Sequence, residues 1–272
     1  MKKVILITGA SSGMGKSTAN ILHNQGYKVY GAARRTEKMK DLEEKGMGII
    51  SLDLTNDESI VSAVNTILDK EGRIDVLINN AGYGSYGSVE EVPMEEAKRQ
   101  FDVNIFGLAR ITQLIIPSMR KQKSGRIVNI SSMGGKIYTP FGAWYHATKH
   151  ALEGWSDCLR LELKDFGIDV VIVEPGGIQT EWGRIAMEHL KNVSGNGPYA
   201  AFANKVIKNT NDASQNNSLT QVDVLGKEIA KAATEKKPKT RYLKGFMAKP
   251  LVTMRKWLGD RTFDRLLLSQ FK

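Results

Sequence analysis

Short runs of aliphatic and β-branched residues alternate along the chain with longer stretches in which apolar residues recur every three to four positions. Val4-Ile5-Leu6-Ile7, Lys28 to Ala33, Gly48 to Leu52, Asp75 to Ile78, Arg126 to Ile130 and Val170 to Val173 have strand length and little polar interruption. Runs apolar on both faces read as strands buried between two layers. Between them lie helical patterns: Lys16 to Gln25, Asp57 to Lys70 with Ile60, Val64, Ile67 and Leu68 on one side, a long region from about Met94 to Lys121, and a stretch through Tyr145. Strand and helix in alternation predict an α/β fold, a doubly wound parallel sheet with right-handed crossovers and ligands at the carboxyl ends of the strands. A helix over Val222 to Thr234 and a strand near Arg241-Tyr242-Leu243 bring the expected sheet to about seven strands.

At 272 residues and 41% hydrophobic content, one large domain over residues 1–272 is expected rather than two small ones. The N-terminus has only four apolar residues before Thr8, too few for a signal peptide, and no segment approaches the length of a membrane span, so the reading is cytoplasmic. The single cysteine, Cys158, sits in an amphipathic pattern and is expected to be a packed, reduced thiol. Residues 179–217 read as a mobile substrate-covering segment with two weak helical stretches; Trp182, Ile185, Met187, Leu190, Tyr199 and Phe202 in it line a partly apolar pocket or pack the segment down.

The net charge of +10 is concentrated at one end, with thirteen Lys/Arg against four Asp/Glu between Lys227 and Lys272. Within the tail, 245–272, Leu251, Met254, Trp257 and Leu258 fit one helical face and Phe263, Leu266, Leu267 and Phe271 another. Three readings of this helical extension compete: a lid beside the substrate entrance or a subunit interface, then peripheral contact with a membrane surface, and last nucleic acid, which no recognised fold accompanies.

Chemistry-bearing residues fall at the strand ends. Thr8-Gly9-Ala10-Ser11-Ser12-Gly13-Met14-Gly15 joins a strand to a helix, as a dinucleotide pyrophosphate site requires. A triphosphate P-loop would need glycine at position 10, which is alanine. The second strand ends at Ala33 with no carboxylate, then Arg34-Arg35; paired arginines there suit the extra phosphate of NADP over NAD. Asp53-Leu54 ends the third strand and Asn79-Asn80-Ala81-Gly82 the fourth. Asn104 sits among apolar residues in a helix, where a buried amide needs partners or holds a water. The fifth strand runs into Ser131-Ser132, and thirteen residues on Tyr145 and Lys149 share a helical face, so the ammonium favours ionisation of the phenol and Tyr145 becomes a candidate acid/base. The four histidines, His146 and His150 included, show no metal-ligand spacing, and no metal is expected.

This ordered set, with Pro175-Gly176 and Thr180, resembles the short-chain dehydrogenases/reductases over about residues 3–180. The arrangement Ala33-Arg34-Arg35 is similar to that of NADP-preferring members, and the long tail to that of members acting on steroids, retinoids and other lipid-like alcohols. The resemblance implies a Rossmann-type fold and a nicotinamide cofactor. It implies that Gly9, Ser11, Ser12, Gly13, Met14 and Gly15 cradle the cofactor, that Asp53 and Leu54 flank its adenine, and that Asn79, Asn80, Ala81 and Gly82 line its central part. The loop with Pro175, Gly176, Ile178 and Thr180 meets the carboxamide end. Ser132 holds the substrate oxygen, Tyr145 exchanges its proton, Lys149 binds the ribose and keeps the phenol acidic, and Asn104 holds a water leading to solvent. The expected activity is NADP(H)-dependent reduction of a fairly apolar ketone, or oxidation of the matching alcohol, by a homodimer or homotetramer associated through the helices of Asn104 and Tyr145. A 3-oxoacyl thioester reductase whose basic end meets an acidic carrier protein is the second enzyme reading. A non-catalytic NADPH-binding sensor or interaction protein is the reading from another class, and a P-loop phosphotransferase comes last.

Overall fold

The computed structural model describes residues 2–216 and 218–271. Asn217, the end of the expected substrate-covering segment, and Lys272, the end of the tail, lie outside the described residues, as does Met1. The chain runs β1 (Val4–Thr8), α1 (Gly13–Asn24), β2 (Lys28–Ala33), α2 (Lys40–Glu44), β3 (Gly48–Ser51), α3 (Asp57–Glu71), β4 (Val76–Asn79) and α4 (Met94–Phe101). A π-helical turn, Asp102–Gly107, leads into α5 (Leu108–Gln122), β5 (Gly125–Ile130), α6 (Ala143–Leu163) and β6 (Ile168–Pro175). Then come α7 (Glu181–Ser194), α8 (Ala200–Gln215), α9 (Val222–Thr234), β7 (Arg241–Lys244), α10 (Ala248–Trp257) and α11 (Asp260–Ser269).

The strands form one sheet in the order β3-β2-β1-β4-β5-β6-β7, parallel throughout. Every residue of β1 is buried because both faces of the sheet are covered. Ile5 and Ile7 pack on one side against Ala19 and Leu22 of α1 and Ile229 of α9. Leu6 packs on the other against Ile60, Val64 and Ile67 of α3, Ile111 and Ile115 of α5 and Leu159 of α6. The chain changes sides of the sheet between β1 and β4, and this reversal opens a crevice at the strands' carboxyl ends. Helix ends follow local chemistry: Asn56 caps α3 by accepting from Ser59 N–H at 2.8 Å, and Gly72 closes it at φ 71° in the left-handed region.

Four expectations change. The long helix is interrupted by the π-helical turn. The segment expected to be weakly helical holds two full helices, because Ala186, Met187, Leu190, Ala203 and Val206 are buried together with Tyr86 and Tyr145, and this packing outweighs the Asn, Ser and Gly around it. In the tail, Leu251, Phe263 and Leu267 pack on Ile137, but Trp257 is 75% exposed and does not join them. Cys158 is exposed, on the outer face of α6. Among the described residues no helix is long and apolar enough to cross a membrane.

Candidate active site

The crevice is built by three loop sets converging on α6. Gly9, at φ 70°, allows the chain to leave β1 with its Cα facing Ala81; a Cβ there would lie 2.8 Å from Ala81 Cα. Asn80 braces this turn, its amide donating to Thr8 O at 2.9 Å and Gly9 O at 3.2 Å, while Thr8 Oγ1 accepts from the N–H of Asn80 and Ala81. Asn80 therefore shapes the glycine turn. Asn79 does not face the crevice: it is buried inside the fold, donating to Thr112 Oγ1 and Asn129 Oδ1.

Gly13 opens α1 at φ 54°, and a Cβ on it would meet nothing closer than Thr180 Cγ2 at 3.8 Å. Ser12 makes no side-chain cap and the first turn of α1 carries no acidic residue, so the positive end of the helix dipole at the crevice is not offset by a side chain of this turn. Ser11, Met14 and the buried Gly15 complete the turn. The following Lys16 pairs with Asp41 at 2.7 Å and donates to Lys38 O, so it is not free to serve a P-loop. Arg34 and Arg35 are exposed just past β2, and among the described residues neither is in an ion pair. Asp53 accepts from Thr55 N–H and Oγ1; burial pushes its carboxyl up, but these bonds and the nearby Arg34 hold it below the usual range. Leu54 is buried beside it against Gly107. On the opposite side, Pro175 ends β6, Gly176 N–H donates to Lys244 O, Ile178 bridges to Thr220, and Thr180 starts α7 above Gly13. These surfaces face one crevice at the strands' carboxyl ends, from Arg34 to Lys149.

At the far end stand Ser132, Tyr145 and Lys149. Ser132 Oγ accepts Gly134 N–H at 3.0 Å and its hydroxyl lowers the Tyr145 phenol against burial, whereas Ser131 Oγ is buried with no partner among the described residues. Lys149 donates to Ile130 O at 2.8 Å, with its ammonium 5.9 Å from the Tyr145 ring centroid. Burial pushes this ammonium down to about 8, against the charge of Glu153 one turn on. Burial pushes the Tyr145 phenol up to about 12, against the Ser132 hydrogen bond. The expected acidification of Tyr145 by its lysine is thus outweighed in the free protein, and the phenol holds its proton at neutral pH. Gly82 lies beside both: a Cβ on it would sit 3.1 Å from Asn104 Oδ1 and 3.9 Å from Lys149 Nζ.

Asn104 is brought inward by the π-helical turn. Its amide donates to Tyr83 O at 3.0 Å and Thr148 Oγ1 at 3.1 Å, and its oxygen accepts Tyr83 N–H at 3.2 Å. The fully buried Gln100, four residues earlier on the same face, grips the same loop through Tyr83 O and Ser85 N–H. That spacing was available in the sequence. His146 is a second positioning residue that the motifs do not reveal. Its Nε2 accepts Thr139 N–H at 3.0 Å, so Nδ1 carries the proton and donates to Gly134 O at 2.9 Å. This neutral imidazole, kept so by burial, ties both ends of the loop after Ser132.

The Tyr145 ring packs in an apolar, aromatic cluster. Trp182 and Tyr86 lie 5.0 and 6.0 Å from its ring, Met187 and Leu190 close one side, and Phe141, Phe202 and Phe271 pack on the same cluster. Ile185, expected with them, is 47% exposed. An arrangement of hydroxyl donor, protonated phenol and buried ammonium beside the crevice at the N-terminus of α1 can bind a dinucleotide and protonate an oxygen next to it.

The family described as short chain dehydrogenase matches residues 3–191. The chain is 38% identical over 268 residues to the 3-ketodihydrosphingosine reductase of Bacteroides thetaiotaomicron, covering 97% of this chain and 96% of that protein. The crystal structure of a short-chain dehydrogenase from Streptomyces avermitilis superposes with a TM-score of 0.82 at 34% identity, covering 99% of this chain and 96% of that one. The closed form of a serine dehydrogenase complexed with NADP+ gives a TM-score of 0.77 at 25% identity, covering 89% and 94%.

Proposed function

Because the chain belongs to the short-chain dehydrogenase/reductase family, and is an oxidoreductase of it, we propose that it reduces a fairly apolar, lipid-like ketone to a secondary alcohol with NADPH in the cytoplasm. The observation that supports this reading is that Ser132, Tyr145 and Lys149 lie beside an aromatic cluster at the end of the glycine-turn crevice.

The first turn of α1, with Gly9 to Gly15, would hold the pyrophosphate; Asp53 and Leu54 would flank the adenine, and Ala81, Gly82 and the 175–180 loop the nicotinamide half. Exposed Arg34 and Arg35, at a strand end with no carboxylate, favour the NADP phosphate. The nicotinamide supplies the hydride. Ser132 donates a hydrogen bond to the substrate oxygen, the protonated Tyr145 hands that oxygen its proton as negative charge builds, and the Lys149 ammonium stabilises the phenolate left behind. A phenol that keeps its proton is an acid, which supports the reductive direction. Asn104 fixes the Tyr83 loop beside Lys149, and in this reading a water near it returns the proton. The 3-ketodihydrosphingosine reductase relative acts on a lipid-like ketone, in line with this aromatic cluster.

We also read residues 179–217 as the substrate cover and 245–272 as a flank that secures it, since Phe271 stacks on Phe202 at 5.7 Å. Association into a dimer or tetramer is proposed through α5 and α6. Peripheral membrane contact of the basic tail is favoured by Trp257, exposed beside Lys256.

Tyr145→Phe should lower ketone-dependent NADPH oxidation by about 10²- to 10⁴-fold while NADPH still binds, as followed by fluorescence. Unchanged turnover would remove Tyr145 from its role. Arg34→Ala/Arg35→Ala should weaken NADPH about ten- to a hundredfold and leave NADH nearly unaffected. Equal binding of both cofactors by the parent protein would overturn the NADP assignment.

A further inference from the structure

Beside the aromatic cluster at Tyr145, the chamber in which the substrate carbonyl would sit on the reading above, lies an apolar depression of about 480 Å³, an open groove lined by Val89, Pro140, Phe141, Tyr199 and Phe202 with Ser88 and Glu90 at its edge. Phe141 and Phe202 belong to both, lining the groove and packing on the cluster around Tyr145. The segment after β4 supplies Tyr86, which faces Tyr145, and Val89, which lines the groove. The loop before α6 supplies Phe141 to the groove and Gly142 to the chamber, where a Cβ on Gly142 would touch the Tyr86 ring at 3.1 Å. The two segments are pinned together by Gly87 N–H donating to Phe141 O at 2.9 Å.

Phe141 holds the left-handed conformation, with φ 64°, which a bulky L-residue adopts only when its surroundings impose it. Its ring lies 5.1 Å from Phe202 and 6.4 Å from Tyr199, bridging the loop to α8. Val89 is 64% exposed, so the groove keeps a branched apolar side chain in water without any packing reason within the described residues. The Tyr199 hydroxyl is turned to Glu90 at 2.7 Å, leaving its ring face to the groove.

We propose that this groove is a subsite for an unbranched hydrocarbon chain carried by the substrate, whose carbonyl sits at Tyr145 while its chain passes Phe141. This rests on the ketone-reductase reading above and narrows it. A ligand filling both chamber and groove must turn around the wall made by Tyr86 and Phe141. A flexible alkyl chain can do so, and a rigid fused-ring skeleton cannot. The exposed Val89 and the strained Phe141 are then specificity residues that contact the chain and take no part in proton transfer.

The test measures kcat/KM with NADPH for linear 2-alkanones from hexanone to tetradecanone, alongside a rigid polycyclic ketone. For the parent protein kcat/KM should climb about two- to fourfold per added methylene until the groove is filled, and the polycyclic ketone should lie far below the longer alkanones. Val89→Asp, at an exposed position, should flatten that slope by placing a charge in the groove; Phe141→Gly, which suits the left-handed backbone, should flatten it by removing the ring. A slope of zero in the parent protein, a slope unchanged in both variants, or preference for the polycyclic ketone would overturn the subsite. Absence of NADPH-dependent turnover of every ketone in the parent protein, or turnover unchanged by Tyr145→Phe, would instead overturn the underlying reading with Tyr145 as proton donor.

Discussion

At the scale of single residues, burial sets the protonation states that the chemistry uses. Lys149 must be an ammonium to stabilise the Tyr145 phenolate, yet its burial lowers it to about 8. Reduction should therefore be nearly flat below about pH 7 and decline as pH rises through about 8, because the proton on Lys149 is lost there while Tyr145, raised to about 12, still keeps its own. Lys149→Arg, which holds its charge over this range, should erase that decline even where its bulk lowers the absolute rate. A pH profile of kcat/KM for both proteins checks this, and an identical descending limb in the arginine variant would assign it to another group. His146 marks the limit of reading such residues from sequence: a histidine next to the tyrosine carries no signal for the clamp between Gly134 and Thr139, since both partners are supplied by a loop folding back.

At the scale of elements, the strands and the helices packed on the sheet were legible because their apolar residues report burial directly. β2 and α9 occupy the ranges their patterns predict, and Asp53, Gly82, Ser132 and Tyr145 reach one rim because parallel strands all end there. What was hidden depends on neighbours. α7 and α8 are weak by local composition and are held by Tyr86 and Tyr145, distant in sequence. The π-helical turn was hidden because Asp102–Gly107 continues the helical pattern; its cause is tertiary, with Asn104 and Gln100 both pulled to the Tyr83 loop. Gly107, at the end of that turn, lies against Leu54, and a Cβ there would overlap the Leu54 carbonyl oxygen, a backbone atom unable to step aside. Gly107→Ala should cost about 1–3 kcal/mol in denaturant unfolding and weaken NADPH binding, because Leu54 flanks the proposed adenine site. A variant as stable as the parent would show that the turn yields without cost.

At the scale of the whole molecule, one buried charge cluster joins the catalytic helix to the far half of the sheet. Glu153 of α6 and Glu174 of β6 are 4% and 3% exposed, and they share Lys136, after β5, and Arg241 of β7. Arg241 also binds Asp157 at 2.7 Å, and Asp157 pairs in turn with Arg160. The cluster therefore faces Glu174 with one further carboxylate and two cations, and Lys149 lies one turn before Glu153 on α6. Burial, and next the charge of Glu153, raise Glu174 from 4.5 to about 7, against Lys136 and Arg241. Among the described residues Glu153 Oε1 and Glu174 Oε1 are two of the buried oxygens that receive no hydrogen bond, with Arg241 Nε 3.3 Å from Glu174 Oε1 as an ion-pair contact, and a proton on Glu174 would supply a donor there. The sign follows from linkage. A carboxyl raised in the folded state binds its proton more tightly there than in the unfolded chain, so its contribution is complete below about pH 4.5 and is lost as pH climbs through about 7. This component opposes the usual gain in stability of carboxylates leaving acid, such as Asp53 and Asp157, whose lowered values act at lower pH. Glu174 should thus pull unfolding free energy down between about pH 5 and pH 8, against the gain from His146, whose imidazole burial holds below its usual value, and Glu174→Gln, which keeps shape, should make stability rise more steeply with pH over this range than in the parent. Urea unfolding at a series of pH values decides the matter, and a slope retained by the glutamine variant would place the titrating group elsewhere.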